Sequence, residues 1–138
     1  MKDIDSLINE FKSDELELYE YNKFENLSSP DFDVKYTLKI GKRINKNLKL
    51  ILSTDEGIKK FIQLLDDDNI IIAGLAARYL YPIFPDRCMK IFKKYSKEAY
   101  DKLACKNVIE GLESRLPIFM QQFKDLYGED RFEELSKL

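Results

Sequence analysis

The residues best suited to chemistry in this sequence are carboxylates, and the densest group is the run Asp66-Asp67-Asp68-Asn69. Adjacent carboxylate and amide oxygens are ligands that Mg²⁺ and Ca²⁺ prefer. However, consecutive residues at a turn between helices point in different directions, and the alternating spacing and glycine of a calcium loop are missing. The run therefore predicts a solvated turn that supplies the N-cap of the next helix, and no metal site.

Other catalytic groups are scarce. The 138 residues include no histidine, so the commonest general base, nucleophile activator and zinc ligand are absent. The five glycines are isolated and form no phosphate-binding loop. Cys88 and Cys105 are the only cysteines, and they lie too far apart for a zinc knuckle, so we expect buried, reduced thiols. These features predict a protein that is not an enzyme and uses no cofactor.

Cationic side chains give the most suggestive pattern. Residues 34–53 carry six cations and no anion, and residues 87–106 carry seven cations against two anions. Such arrays contact phosphates in nucleic acids or acidic patches on proteins. Tyrosine, which is apolar with a polar tip, often anchors a partner. The candidate partner-binding residues are Lys35, Lys39, Lys42, Arg43, Lys46, Lys49, Tyr79, Arg87 and Lys94.

Three explanations of these basic stretches can be ordered by the charge of the whole chain. The formal net charge is −2, and residues 1–34 carry ten acidic against three basic side chains. The acidic first segment could lie along the basic one and neutralise it, or the basic face could be an ordinary solvated surface; we rank these first. A protein partner with an acidic patch comes second. Nucleic acid comes last, because the net charge is negative and arginine is scarce.

Length and composition predict the class of fold. A chain of 138 residues fits one domain with an ordinary core. With 44% hydrophobic and 35% charged residues, few Gly and Pro, and no Asn-Gly or Asp-Gly turns, it favours amphipathic helices over many short strands. The N-terminus does not resemble a signal peptide, and no apolar run reaches the length of a membrane span. We therefore expect a cytoplasmic protein that does not enter a membrane.

Helical spacing of apolar residues places the elements. Residues 3–26 form one helix or two helices broken near Ser13-Asp14, and residues 27–31 form a turn. Residues 33–52 form a helix with one apolar and one lysine-rich face. A hydroxyl at Ser53-Thr54 caps a short helix that ends in the aspartate run.

The second half of the chain begins with an Ala-rich apolar segment, residues 69–82. A strand would suit its three isoleucines, but its alanines favour a buried helix. Pro82 and Pro85 then bracket a tight connection to a helix over residues 86–95. The helix that follows should end before Pro117, and the tail should break at Gly128.

The stretch from Leu64 to Leu80, LLDDDNIIIAGLAARYL, resembles the central hairpin of a HEAT repeat. In that pattern a short helix ends in an acidic turn and a helix with small side chains follows. More broadly, residues 36–115 resemble a small bacterial family of HEAT-like domains, some of them associated with toxins. The resemblance implies a helical scaffold for protein contacts and carries over no catalytic residue.

Together these observations predict an all-α protein of about six to eight helices, stacked as antiparallel hairpins in a HEAT-like superhelix. Residues 1–30 would form an acidic helical segment and residues 31–138 the core. The predicted function is binding of a protein partner, with a toxin among the candidates, by an immunity or adaptor protein that masks the partner. The alternative is a nucleic-acid-binding helical-repeat domain that uses the basic helix 35–49.

Overall fold

A computed structural model of the chain describes residues 2–23, 29–98 and 102–138, the side chains of 102–104 excepted. Within these residues all regular structure is helical, which confirms the predicted all-α class. None of the described helices is long and apolar enough to cross a membrane. The elements are α1 (Ile4–Tyr21), α2 (Val34–Leu52), α3 (Asp55–Gln63), a 3₁₀-helix (Leu64–Asp66), α4 (Ile70–Leu80), α5 (Pro85–Glu98), α6 (Lys102–Tyr127) and α7 (Glu129–Ser136).

The first compact unit, Met1–Gln63, contains α1, α2 and α3. Helix α1 is continuous through Ser13-Asp14, so the one-helix alternative is confirmed as far as Tyr21. Helix α1 runs antiparallel to α2. The hydroxyl of Tyr21, at the end of α1, accepts a hydrogen bond from the Asp33 amide just before α2, and Asp14 in the middle of α1 bonds Arg43 in the middle of α2. The core of the unit includes an edge-to-face contact between Phe11 of α1 and Phe61 of α3, whose ring centroids are 5.1 Å apart.

A tight turn joins α2 to α3. The Thr54 hydroxyl accepts a hydrogen bond from the Gly57 amide at 3.0 Å, which confirms the predicted hydroxyl cap. Acidic side chains in the first turn of α3 suit the positive end of its dipole. A β-carbon at Gly57 would lie 1.9 Å from the carbonyl oxygen of Ile51, so only glycine lets the two backbones approach this closely.

The second unit, Leu64–Leu138, is built around a hairpin of α4 and α5. Asn69 caps α4 by accepting a hydrogen bond from the Ile71 amide at 3.0 Å, and α4 is a largely buried helix, as predicted. The helices are antiparallel, since Gly74 meets Tyr95 whereas Tyr81, further along the chain, meets Phe92. Residues 81–84 form the connection, and α5 begins at Pro85, where the missing N–H of proline costs no helical hydrogen bond.

Helix α6 corrects one prediction. It continues through Pro117 to Tyr127, although a helix end was expected before that proline. Proline removes one backbone hydrogen bond, to the carbonyl four residues earlier. Both Glu113 and Pro117 are exposed, so water can bond the freed carbonyl while buried Leu112 and Phe123 hold the two halves of the helix in place. The predicted break at Gly128 is confirmed, where φ is +97°.

Candidate functional site

Five lysines form a line along the exposed side of α2. They follow one another at alternating steps of four and three residues, which on an α-helix keeps them within one narrow stripe. The stripe covers 14 residue steps, or about 21 Å at 1.5 Å per residue. All five side chains are exposed. We call this set the lysine row; its members are Lys35, Lys39, Lys42, Lys46 and Lys49.

The opposite side of α2 fixes the direction in which the row points. Ile40, Ile44, Leu48 and Ile51 are 0–2% exposed and pack in the core of the first unit. Burying such side chains contributes roughly 1.5–3 kcal/mol each, so rotation of α2 about its axis would be costly. The lysine row is therefore held facing outward by the core rather than by contacts of its own.

Arg43 differs from its lysine neighbours. Its Nε and one terminal nitrogen donate to the two carboxylate oxygens of Asp14 at 2.8 and 2.7 Å. Asp14 is only 4% exposed, and its hydrogen bonds with Arg43 raise the pKa of that guanidinium. A second carboxylate, Glu17, lies 4.0 Å away. Arg43, predicted to bind a partner, thus joins α1 to α2.

The ion pairs of α1 show how far the acidic first segment neutralises the basic helix α2. The acidic helix α1 does pack along α2, but its carboxylates engage Arg43 and not the lysine row. Asp5 pairs with Lys60 of α3 at 2.5 Å, which raises the pKa of Lys60, and Glu10 pairs with Lys2. Among the residues that the structure describes, none of the five row lysines forms an ion pair.

Two leucines flank the lysine row and were not predicted as site residues. Leu38 is 60% exposed and Leu50 is 48% exposed, one on each side of the row around the helix. The sequence did contain a signal for them, because both lie outside the steps that connect Ile40, Ile44 and Leu48. The exposed side of α2 thus combines positive charge with apolar surface.

The remaining predicted site residues belong to the second unit. Arg87 of α5 bonds Asp66 at 2.8 Å, and Lys94 of the same helix is exposed. Tyr79 of α4 is half-buried, and the guanidinium of Arg78 lies 5.1 Å from its ring centroid. Arg87 and Lys94 lie seven residues apart on α5, and Tyr79 lies on α4.

The carboxylate run and the thiols behave as structural groups. Asp67 accepts a hydrogen bond from the Asn69 amide at 2.9 Å, and Asn69 caps α4, so the predicted capped turn is confirmed. The described residues contain no cluster of three or more potential metal ligands. Cys88 is buried, and burial raises the pKa of its thiol to about 12, whereas Cys105 is half-buried; neither is in a disulfide.

Comparison with known protein families, with characterised proteins and with solved structures finds no match to this chain. The functional argument therefore depends on the chain's own surface, and we base it on the lysine row of α2.

Proposed function

We propose that this protein is a non-catalytic helical scaffold that binds an acidic surface of a partner protein through the lysine row. The observation that carries the proposal is that five exposed lysines on one helix face lack an ion pair with any described residue. An acidic partner would supply the missing counter-charges, and complementary charge accelerates association and selects partners.

The mode of action that we propose is occlusion. A preformed helical face covers the partner's functional surface, so that no bond is made or broken and no cofactor is needed. The resemblance of residues 36–115 to HEAT-like domains supports a scaffold role, and the association of some such domains with toxins supports an immunity or adaptor protein whose partner is a toxin. A cytoplasmic location and a HEAT-like superhelix belong to the same proposal.

The test uses charge reversal with a matched control. The row variant carries Lys39→Glu and Lys46→Glu, and the control carries the same charge change at exposed lysines outside both basic clusters, Lys59→Glu and Lys137→Glu. Tagged protein is used to capture partners from host cells, with identification by mass spectrometry. We expect one partner to be retained by the wild type and the control and lost from the row variant. Loss from both variants, or from neither, would contradict the proposal.

If the captured partner is toxic, co-expression provides a functional assay. Wild type and control should restore growth to cells that express the toxin, whereas the row variant should not. Titration of a fluorescent DNA or RNA duplex at low and moderate salt tests the alternative. Tight binding with a steep salt dependence, abolished in the row variant, would favour nucleic acid instead.

A further inference from the structure

We infer that the lysine row receives an acidic α-helix of the partner, with carboxylates repeated at alternating steps of three and four residues. The inference rests on the proposed function and specifies the shape of the partner. It is drawn from the spacing of the row, its length and the leucines on its two sides.

The spacing of the row matches the repeat of a second helix. Steps of four, three, four and three residues reproduce the pattern by which two α-helices keep side chains in contact along a shared line. A partner helix with glutamates or aspartates in the same pattern would place a carboxylate opposite each lysine. A loop or a sheet edge has other repeats and would align with only part of the row.

The length of the row also fits a helix. About 21 Å corresponds to roughly four turns, a common helix length in globular proteins. A long polyanion would extend beyond both ends of the row. A short acidic helix would end where the row ends.

The flanking leucines favour a protein over a sugar–phosphate backbone. Leu38 and Leu50 offer apolar surface on both sides of the row, and the aliphatic stems of the lysines extend it. Apolar residues beside the carboxylates of a partner helix would be buried against these leucines. Phosphate groups would leave both leucines in water.

The test uses two helix-stabilised peptides of about 18 residues, the length of four to five turns. One has glutamates in the alternating pattern with leucines on either side, and the other has the same composition with glutamates distributed around the helix. Binding to the full-length protein is measured by fluorescence anisotropy. We expect the aligned peptide to bind about tenfold more tightly than the distributed one, because more ion pairs form at once.

Protein variants complete the design. Lys39→Glu with Lys46→Glu should abolish the preference for the aligned peptide, whereas Lys59→Glu with Lys137→Glu should keep it. Leu38→Ser with Leu50→Ser should lower the affinity for the aligned peptide by about tenfold. The salt dependence of binding should stay unchanged, since these substitutions remove apolar area and not charge.

The outcomes separate this inference from the proposed function. Equal affinity for the two peptides, or no binding of either, would overturn the inference that the partner presents an acidic helix. Capture of a partner that depends on the row would still support the proposed scaffold function. A duplex that binds the row more tightly than the aligned peptide overturns both.

Discussion

At the scale of single residues, the contact between Arg43 and Asp14 determines what α2 can offer a partner. The carboxylate is almost fully buried, and two hydrogen bonds from one guanidinium satisfy both of its oxygens. Bidentate geometry of this kind needs arginine, because lysine has no planar pair of donors. Arg43 therefore contributes to the packing of α1 on α2, and the lysines around it remain available.

Removing the arginine should leave a buried charge without its partner. We expect Arg43→Ala to lower the free energy of unfolding by about 1–2 kcal/mol, less than for a fully buried pair because the guanidinium is 42% exposed. Lys42→Ala is the matched control, with an adjacent exposed cation, and should change the stability by less than about 0.5 kcal/mol. Urea denaturation followed by circular dichroism gives both values.

Replacing both Arg43 and Asp14 tests whether the unpaired buried charge of Asp14 causes the loss of stability. Asp14→Asn in the Arg43→Ala background removes the buried charge, so the double variant should be more stable than Arg43→Ala alone. If Asp14→Asn destabilises both backgrounds equally, the two side chains are not coupled and the assignment of Arg43 to the helix interface is wrong.

Sequence alone separated the two faces of α2 but not the roles of its cations. Arg43 lies within the basic stretch at residues 34–53, beside the lysine stripe, but its type and position there do not show which carboxylate it pairs with. Its role depends on Asp14, which is 29 positions away in the chain. Helical periodicity describes one helix at a time. It could therefore predict the exposed stripe of α2, but not the contact with α1 that engages Arg43.

At the scale of the elements, glycines at two helix positions are subject to opposite demands. A β-carbon at Gly74 of α4 would lie 2.3 Å from a ring carbon of Tyr95 on α5, so the absence of a side chain lets these helices approach each other. Gly41 of α2 has nothing within 4 Å of the same position. The first glycine is required by packing, and the second only lowers helix propensity.

Substitution by alanine should therefore have opposite effects at the two positions. We expect Gly74→Ala to lower the free energy of unfolding by about 1–3 kcal/mol through overpacking. Gly41→Ala should raise it by about 0.5–1 kcal/mol, the usual preference for alanine in a helix. Thermal and urea unfolding measure both. A stabilised Gly74→Ala variant would show that α4 and α5 are not in such close contact.

The helices themselves could largely be predicted from the sequence, and their interruptions less so. Asn69 and Thr54 cap helices where the local pattern indicated caps, and Pro85 begins one. Pro117 was misassigned because its effect depends on whether the freed carbonyl can reach water, and burial is a property of the folded chain. Leu38 and Leu50 lie outside the buried stripe of α2, so periodicity indicated their exposure, but exposure alone does not identify a residue as part of a site.

At the scale of the whole molecule, the charges are nearly balanced but not evenly mixed. Lysine and arginine number 23 against 25 aspartates and glutamates, yet α2 carries no acidic residue at all. Electrostatic steering depends on such local concentration more than on the net charge of −2. A protein with an acidic isoelectric point can thus present a cationic line to a partner.

Cys88 should contribute to the response of the molecule's stability to alkaline pH. Burial raises the pKa of this thiol from about 9 to about 12, so as pH rises the unfolded chain loses its proton first. The contribution of the protonated Cys88 thiol to the free energy of unfolding is therefore complete below about pH 9 and decreases as pH approaches 12. Lys60, whose pKa is raised by hydrogen bonding to Asp5, acts in the same direction at higher pH.

We expect the free energy of unfolding to fall with a slope of up to about 1.4 kcal/mol per pH unit for the one proton involved. Urea denaturation between neutral pH and pH 10.5 should show this slope in the wild type and a shallower one in Cys88→Ala. The slopes are compared rather than the absolute stabilities, because the alanine also leaves a small cavity. Ile72→Val, which leaves a small cavity in the same unit and removes no titratable group, is the control and should keep the wild-type slope. Equal slopes in wild type and Cys88→Ala would mean that water reaches the Cys88 thiol, and that the interface of α4 and α5 is more open than the close approach of Gly74 to Tyr95 indicates.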